Sequence, residues 1–105
     1  MKRYSIEILP SVEEEIRNYI RYIMFKKNMP LTALQHEEEL FETISQLSNY
    51  AESISISDKK DVLRFGASAR IIQYKKMAII YIVHNNRVVV RAVMPLHLSK
   101  NKDHL

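Results

Sequence analysis

The chain has 105 residues, 47% hydrophobic and 27% charged, with a net charge of +4, so it is long enough for one hydrophobic core and too short for two. With no cysteine and a single glycine, it excludes disulfides, thiol nucleophiles, zinc–thiolate sites and glycine-rich phosphate loops. It has no signal-peptide segment and no apolar run near the roughly 20 residues that span a bilayer, so we predict one cytoplasmic domain over residues 1–105 without membrane contact.

The N-terminal quarter predicts a strand followed by a helix. Apolar and polar residues alternate from Arg3 to Leu9, as in a strand with one polar face. Pro10 ends this strand, and Ser11 to Glu14 has the S-x-x-E form of a capping box, which predicts that a helix begins there. Its apolar stripe consists of Val12, Ile16, Tyr19, Ile20 and Ile23, and the helix ends before Pro30.

A second helix is predicted from Leu31 or Thr32 to about Asn49. The residues that form its apolar stripe are Ala33, Leu40, Phe41, Ile44 and Leu47. Its other face is acidic, and no histidine or aspartate accompanies these glutamates at metal-ligand spacing. We therefore interpret Glu37, Glu38, Glu39, Glu42 and the neighbouring His36 as solvated surface, and predict no metal site.

The middle of the chain carries weaker signals. We predict a loop from Tyr50 to Lys60, a brief extended piece from Asp61 to Gly66, and a strand from Ala69 to Tyr74. Because Lys75 and Lys76 do not favour positive φ, we expect a connection of three or four residues to the next strand. An odd connection would place Arg70 on the face of Arg91, whereas an even one would turn it toward the helices.

The strongest local pattern is a β-hairpin from Met77 to Met94 with Asn85-Asn86 as its two-residue turn. With this turn, facing residues have numbers that sum to about 171. One face then carries Ala78, Ile80, Ile82, His84, Arg87, Val89, Arg91 and Val93. The other is apolar throughout and carries Met77, Ile79, Tyr81, Val83, Val88, Val90, Ala92 and Met94. We expect the apolar face to meet the helices and the basic face to remain open.

The element order is therefore β-α-α-β-β-β, an α+β fold in which two N-terminal helices pack on one face of a small antiparallel sheet. Residues 1–60 hold 8 Lys and Arg against 10 Asp and Glu, and residues 61–105 hold 8 against 2. This asymmetry favours a surface for a polyanion or an acidic partner in the second half, although a merely solvated basic face is an alternative.

A basic strand surface suits RNA cleavage, in which cations stabilise the phosphate and a side chain moves the proton, and equally suits passive binding. Arg91 is the charge hardest to explain structurally, because it interrupts an apolar strand. We interpret Arg87 and His84 as residues of the exposed hairpin turn, and Tyr74 and Tyr81 as core or edge aromatics.

The chain resembles the RelE/ParE superfamily of toxins from bacterial type II toxin–antitoxin systems. The likeness rests on the element order and on three segments: YSIEILPSVEEEIRNYIRYI, LFETISQLSN and AIIYIVHNNRVVVRAVM. It implies a cytoplasmic toxin neutralised by an antitoxin encoded beside it. RelE-like members cleave mRNA on the ribosome without a metal or cofactor, whereas ParE-like members inhibit DNA gyrase and are not nucleases.

We rank the ribosome-dependent endoribonuclease first, the gyrase inhibitor second, and a non-toxic binding module third. For cleavage, we predict Arg70 and Arg91 as phosphate contacts and His97 as proton donor or acceptor. Further RNA contacts are expected from Arg64, Lys75, Lys76, Arg87, Lys100 and Lys102. One departure concerns the third strand, where Ala78 stands at a position that is usually Arg in RelE-like toxins.

Overall fold

The structure, a computed structural model, describes residues 3–96, and its elements follow the predicted order. Strand β1 (Ser5–Ile8) leads into helix α1 (Pro10–Arg21), a π-helical turn (Tyr22–Lys26) and helix α2 (Pro30–Ser45). Two short helices, α3 (Leu47–Tyr50) and α4 (Lys60–Leu63), flank a 3₁₀ turn (Ala51–Ser53) and the following loop. The remaining strands are β2 (Arg70–Tyr74), β3 (Met77–His84) and β4 (Arg87–Pro95). The predicted α+β fold is confirmed, but α4 replaces the extended piece expected in this segment.

Helix α1 begins two residues earlier than the capping box predicts, with Leu9 rather than Ser11 at the N-cap position. Pro10 occupies its first turn, where the N–H that proline lacks would have no intrahelical partner. Leu9 is the residue that precedes the helix, and no side chain caps its N-terminus. The capping-box prediction was therefore wrong, because Ser11 already lies inside the helix.

The main core lies between the two long helices and one face of the sheet, which we call the helix face. Its fully buried members from the helices include Val12, Ala33, Leu40 and Leu47. The strands contribute Met77, Ile79, Tyr81, Val88, Val90 and Val93. Both predicted apolar stripes thus face the core, except that Tyr19 is only partly buried and Phe41 is 36% exposed.

The sheet has the strand order β1-β4-β3-β2. Strand β1 pairs with β4 in parallel, with Ser5 opposite Arg87 and Ile8 opposite Val90. Strands β2, β3 and β4 are antiparallel, as predicted. The sheet is therefore mixed. Its parallel pair joins the first and last strands, β1 and β4, which are far apart in the chain and are not joined by a tight turn.

A β-bulge divides the hairpin of β3 and β4. Between the Asn85-Asn86 turn and the pair of Tyr81 and Val90, the numbers of facing residues sum to 171, as predicted. Beyond it Ile80 faces Ala92, so Arg91 is an extra residue on β4. The predicted faces were therefore wrong past the bulge: Val93 packs in the main core, whereas Ala92 and Met94 lie on the opposite side.

The face of the sheet opposite α1 and α2, which we call the outer face, is partly covered. Segment 60–69, which includes α4, packs a small cluster onto it through Val62 and Ala69 against Ile80 and Ala92. All four of these side chains are fully buried. The expectation of an open outer face was therefore wrong for its centre, because the sequence pattern of α4 was too short to indicate a covering element.

Both turns of the β2–β3–β4 meander contain two residues. Asn85 and Asn86 have φ of +50° and +64°, as a type I′ hairpin requires, and this confirms the predicted turn. The expected three- or four-residue connection was wrong, because Tyr74 pairs with Met77 and Lys75 adopts φ of +51°. This even connection turns Arg70 toward the helix face, as the sequence argument requires for an even count.

Candidate functional site

Arg70 and Arg91 lie near one cross-strand row of the sheet. Arg70 is opposite Tyr81, and Tyr81 is opposite Val90, next to which Arg91 forms the bulge. Since neighbouring strands are about 4.8 Å apart, the two arginine backbones are separated by roughly 10 Å. The backbones of two of the three residues expected to act in cleavage are thus near each other, while the side chain of Arg70 is turned toward the helix face. The third, His97, lies outside the described residues, as do Lys100 and Lys102.

Arg70 is held by the segment that follows α3. One terminal nitrogen of its guanidinium donates a hydrogen bond to the carbonyl of Ile54 at 2.7 Å. Its Nε is buried and has no hydrogen-bond partner in residues 3–96. A guanidinium with unused donors can bind an anion, since its planar fork matches two oxygens of a phosphate or carboxylate. Arg91, by contrast, is exposed.

Neither tyrosine near this row is positioned to transfer a proton. Tyr81 is completely buried and donates to the carbonyl of Ala51 at 2.6 Å, and burial raises the pKa of Tyr81 to about 12. Burial also raises the pKa of Tyr74, as does its hydrogen bond to Glu39 at 2.7 Å. Both tyrosines are core aromatics, as predicted.

The third strand offers no charge at the position where the resemblance expects one. Ala78 is fully buried, so its methyl group is part of the packing and leaves no room for an arginine. Neither Ala78 nor the buried Tyr81 therefore supplies a charge or an accessible proton beside the Arg70–Arg91 row.

The other predicted RNA contacts fall into separate places. Arg87 is at the hairpin turn, where its Nε lies 3.6 Å from Glu7, and Arg64 lies at the end of α4 with its guanidinium over the Phe65 ring. Lys75 and Lys76 form the turn at the opposite end of β3. Because β3 has 8 residues, these two ends are more than 20 Å apart. The described cations therefore form no single continuous patch.

A polar cluster that the sequence analysis treated as surface joins α1, α2 and β2. The hydroxyl of Tyr19 is 3.0 Å from His36 Nδ1, and the His36 ring meets Tyr74 edge-on. Hydrogen bonds from Tyr74 and then Gln35 lower the pKa of Glu39. His36 and Glu39 are one helical turn apart in sequence, but nothing in the sequence pairs them with Tyr19 or Tyr74. These side chains form their hydrogen bonds with one another and so link the two long helices to strand β2.

A second missed contact protects the edge of the sheet. Strand β1 ends opposite Val90, which leaves the far half of β4 without a neighbour on that side. The carboxylate of Glu15, from α1, accepts the backbone N–H of Val93 at 2.9 Å. No local pattern in the sequence pairs Glu15 with a strand residue that is 78 positions away.

Two classes of feature are not found in the described part of the chain. Its His, Asp and Glu side chains form no group of three or more that could hold a metal ion. None of its helices combines the length and apolar character needed to cross a membrane.

Comparison with known proteins finds a likeness among solved structures. No protein-family model matches the sequence, and no curated protein matches it. Among solved structures, the chain is similar to a chain of the chromosomal ParDE TA system from P. aeruginosa, with a TM-score of 0.70. The match covers 90% of this chain and 97% of that chain at 11% sequence identity, so the likeness concerns the fold. The chain therefore has the RelE/ParE-like fold that its sequence resemblance predicts.

Proposed function

We propose that the chain is the toxin of a type II toxin–antitoxin pair and is held inactive by an antitoxin encoded beside it. The observation that carries this proposal is the fold likeness to a chain of a ParDE toxin–antitoxin structure over nearly the full length of both chains. The sequence resemblance covers the same helices and strands. Action in the bacterial cytoplasm follows from either of the targets considered below.

The described geometry favours inhibition of DNA gyrase without catalysis, which was the second choice from sequence alone. Cleavage of RNA needs a group that takes a proton and another that gives one, beside the cations that stabilise the phosphate. Tyr81, the residue opposite Arg70, does not supply such a group, because it is completely buried and its hydroxyl donates a hydrogen bond to the carbonyl of Ala51. A toxin that acts by binding needs no acid or base.

Ribosome-dependent mRNA cleavage is the second candidate, and one observation favours it. The backbones of Arg70 and Arg91 lie near one row of the sheet, and Arg91 is exposed, which supports contact with a phosphate-rich segment at this place. His97 follows Pro95, the last residue of β4, by two positions. In this reading His97 transfers the proton and the two arginines stabilise the phosphate charge, without a metal or cofactor.

Inducible expression in bacteria separates these functions. A gyrase inhibitor is expected to arrest growth with intact mRNA, to induce the SOS response, and to block supercoiling by purified gyrase. New mRNA 5′ ends that require ribosomes, together with unaffected gyrase, would instead identify the endoribonuclease. If a short acidic protein is encoded beside the chain, rescue of growth by its co-expression tests the toxin–antitoxin pair itself. Harmless expression of the chain alone would contradict both toxin functions.

Variants assign the residues. Under cleavage, Arg70→Ala, Arg91→Ala and His97→Ala are each expected to abolish the new 5′ ends. Arg17→Ala is the matched control, because Arg17 is an exposed arginine on α1 whose partner is the neighbouring Glu14. Retained cleavage in the His97→Ala variant would remove His97 from the mechanism.

A further inference from the structure

The segment that joins the two long helices carries only positive charge. The hydroxyl of Tyr19 is 3.0 Å from His36 Nδ1, so these two residues lie at the same level of α1 and α2. The acidic residues of α1 precede Tyr19 and those of α2 follow His36, so both sets lie away from the connection between the helices. We call residues 20–35 the helix tip. Its charged residues are Arg21, Lys26 and Lys27, three cations without an acid, which gives a net charge of +3.

The cations of the helix tip are available to an external anion. All three are exposed, and none of them forms an ion pair with another residue of the range 3–96. Arg17, one turn earlier on α1, differs from them, because its guanidinium is 2.7 Å from the carboxylate of Glu14. Unpaired cations on one surface attract a polyanion such as a nucleic acid backbone.

Two exposed aromatic rings lie among these cations. Tyr22 is 53% exposed and Phe25 is 72% exposed, although aromatic rings are normally among the more buried side chains. Both rings lie on the side of the helix opposite the buried Ile20 and Ile23. The flat faces of the two rings are therefore accessible to a ligand that stacks on them.

A π-helical turn (Tyr22–Lys26) sets the positions of the rings and the cations relative to each other. The N–H of Lys27 donates to the carbonyl of Tyr22 at 3.2 Å, five residues back instead of four. Lys27 is therefore the residue that lies above Tyr22, with its Nζ 6.0 Å from the centroid of the ring. π-Helical turns are rare and are frequent at functional sites. This turn places a cation beside an exposed aromatic face.

We propose that the helix tip binds single-stranded nucleic acid. Bases stack on the rings of Tyr22 and Phe25, and the phosphates contact Arg21, Lys26 and Lys27. A basic surface with exposed aromatic faces is the combination that binds single strands, because every unpaired base has a π-face and every nucleotide brings a phosphate. Binding to a membrane surface would instead need a continuous apolar face, whereas cations interrupt the rings here.

This surface is separate from the Arg70–Arg91 row. Helix α1 packs on the helix face of the sheet through its buried stripe, so its exposed side is turned away from the sheet. The proposal therefore does not depend on which target the toxin has, and binding by the purified chain can be measured without any toxicity.

Fluorescence anisotropy of a short labelled single strand, prepared as DNA and as RNA of the same sequence, tests the proposal. Phe25→Ala is expected to weaken binding about 10-fold, because one base loses its stacking partner. Lys26→Ala should weaken binding and reduce the slope of log K against log salt by about 0.7, because one phosphate contact is lost. Arg17→Ala is the matched control and should change neither quantity, since Arg17 is already paired with Glu14. The tighter of the two strands identifies the natural source.

An abasic strand of the same length separates stacking from charge. It keeps the phosphates but has no bases, so it should bind more weakly than the normal strand and equally well to the wild type and to Phe25→Ala. Equal affinity of the wild type for the two strands would overturn the proposal, as would the absence of binding at low salt. Binding to vesicles that contain anionic phospholipid, but to neither strand, would also overturn it and indicate a membrane surface.

Substitutions at Phe25 test the stacking directly, because the natural chain contains no tryptophan. Phe25→Trp keeps an aromatic face, so it should bind as tightly as the wild type, and its indole fluorescence should be quenched when a base stacks on it. Phe25→Leu keeps an apolar side chain without a flat ring and should bind as weakly as Phe25→Ala. Circular dichroism checks that these exposed-site variants are folded. Wild-type affinity in the Phe25→Leu variant would contradict the proposal.

Discussion

The two faces of the sheet differ in depth of cover. On the helix face, Ile79, Tyr81, Val88 and Val90 are completely buried beneath two long helices. On the outer face, Ile82 is only partly buried, and the cover is one short helix with its flanking turn. Stability therefore depends chiefly on the helix face, whereas the outer face keeps Arg87 and His84 exposed at its hairpin end.

The bulge at Arg91 decides which residues belong to which face. Without an extra residue, Val93 would lie on the outer face and Ala92 on the helix face, because side chains alternate along a strand. With it, the small Ala92 sits under Val62 and the larger Val93 enters the main core. Arg91, the charged residue that interrupts an apolar strand in the sequence, is thus the one residue of the bulge that has no partner on β3.

Deletions at the bulge are expected to have the largest effects. Removing Arg91 leaves every observed β3–β4 pair intact, so the protein should fold with a modest loss of stability. Removing Ala92 instead forces Arg91 opposite Ile80 under Val62, where burial of an unpaired charge costs several kcal/mol. Circular dichroism should therefore show a folded Arg91 deletion and an unfolded Ala92 deletion. Equal losses would contradict the assigned register.

Alanine substitutions compare the two faces directly. Ile79→Ala removes a fully buried side chain from the main core and is expected to cost about 2–5 kcal/mol of unfolding free energy. Ile82→Ala, on the outer face, should cost clearly less, because Ile82 is already partly exposed and less cavity is created. Urea unfolding measures both. A larger loss for Ile82→Ala would show that the outer cover contributes more than its size indicates.

The sequence predicts the parts of the fold that periodicity and turn chemistry determine. The two apolar helix stripes, the Asn85-Asn86 turn and the order of the elements follow from local patterns. The bulge does not, because an arginine within an apolar strand is equally compatible with an exposed face and with an extra residue. Helix α4 is a single turn, too short for a helical period to be recognised.

For the candidate site, the sequence identifies the residues that could act but only partly predicts on which face of the sheet they lie and which residues they contact. The face of Arg70 depends on whether the turn at Lys75 and Lys76 has an odd or an even number of residues, and residue preferences predicted too long a turn and left this open. The internal bonds of Tyr74 and Tyr81 depend on Glu39 and Ala51, which are at least 30 residues away in sequence. Such long-range partners leave no local pattern, so a single sequence cannot reveal them.

Tyr81→Phe probes the polar interior of the helix face. Loss of the hydroxyl leaves the carbonyl of Ala51 without its partner and is expected to cost about 1–3 kcal/mol. Burial raises the pKa of Tyr81 from 10.0 in the unfolded chain to about 12 in the fold, so stability from this group falls as pH rises through this range. Unfolding of the variant should therefore depend less on pH between 10 and 12 than that of the wild type. Tyr22→Phe, at an exposed tyrosine, is the control.

Arg87→Ala, on the outer face, is expected to have the smallest effect on stability. A change in toxicity of this variant can therefore be attributed to function and not to unfolding. Arg87 and Glu7 are each about half exposed and 3.6 Å apart, so their ion pair contributes at most about 1 kcal/mol. Arg87→Ala should therefore unfold at nearly the same urea concentration as the wild type. If the outer face contacts the target, growth inhibition by this variant falls while its stability does not. Growth inhibition equal to that of Arg17→Ala, an exposed arginine on α1, would place the target contact elsewhere.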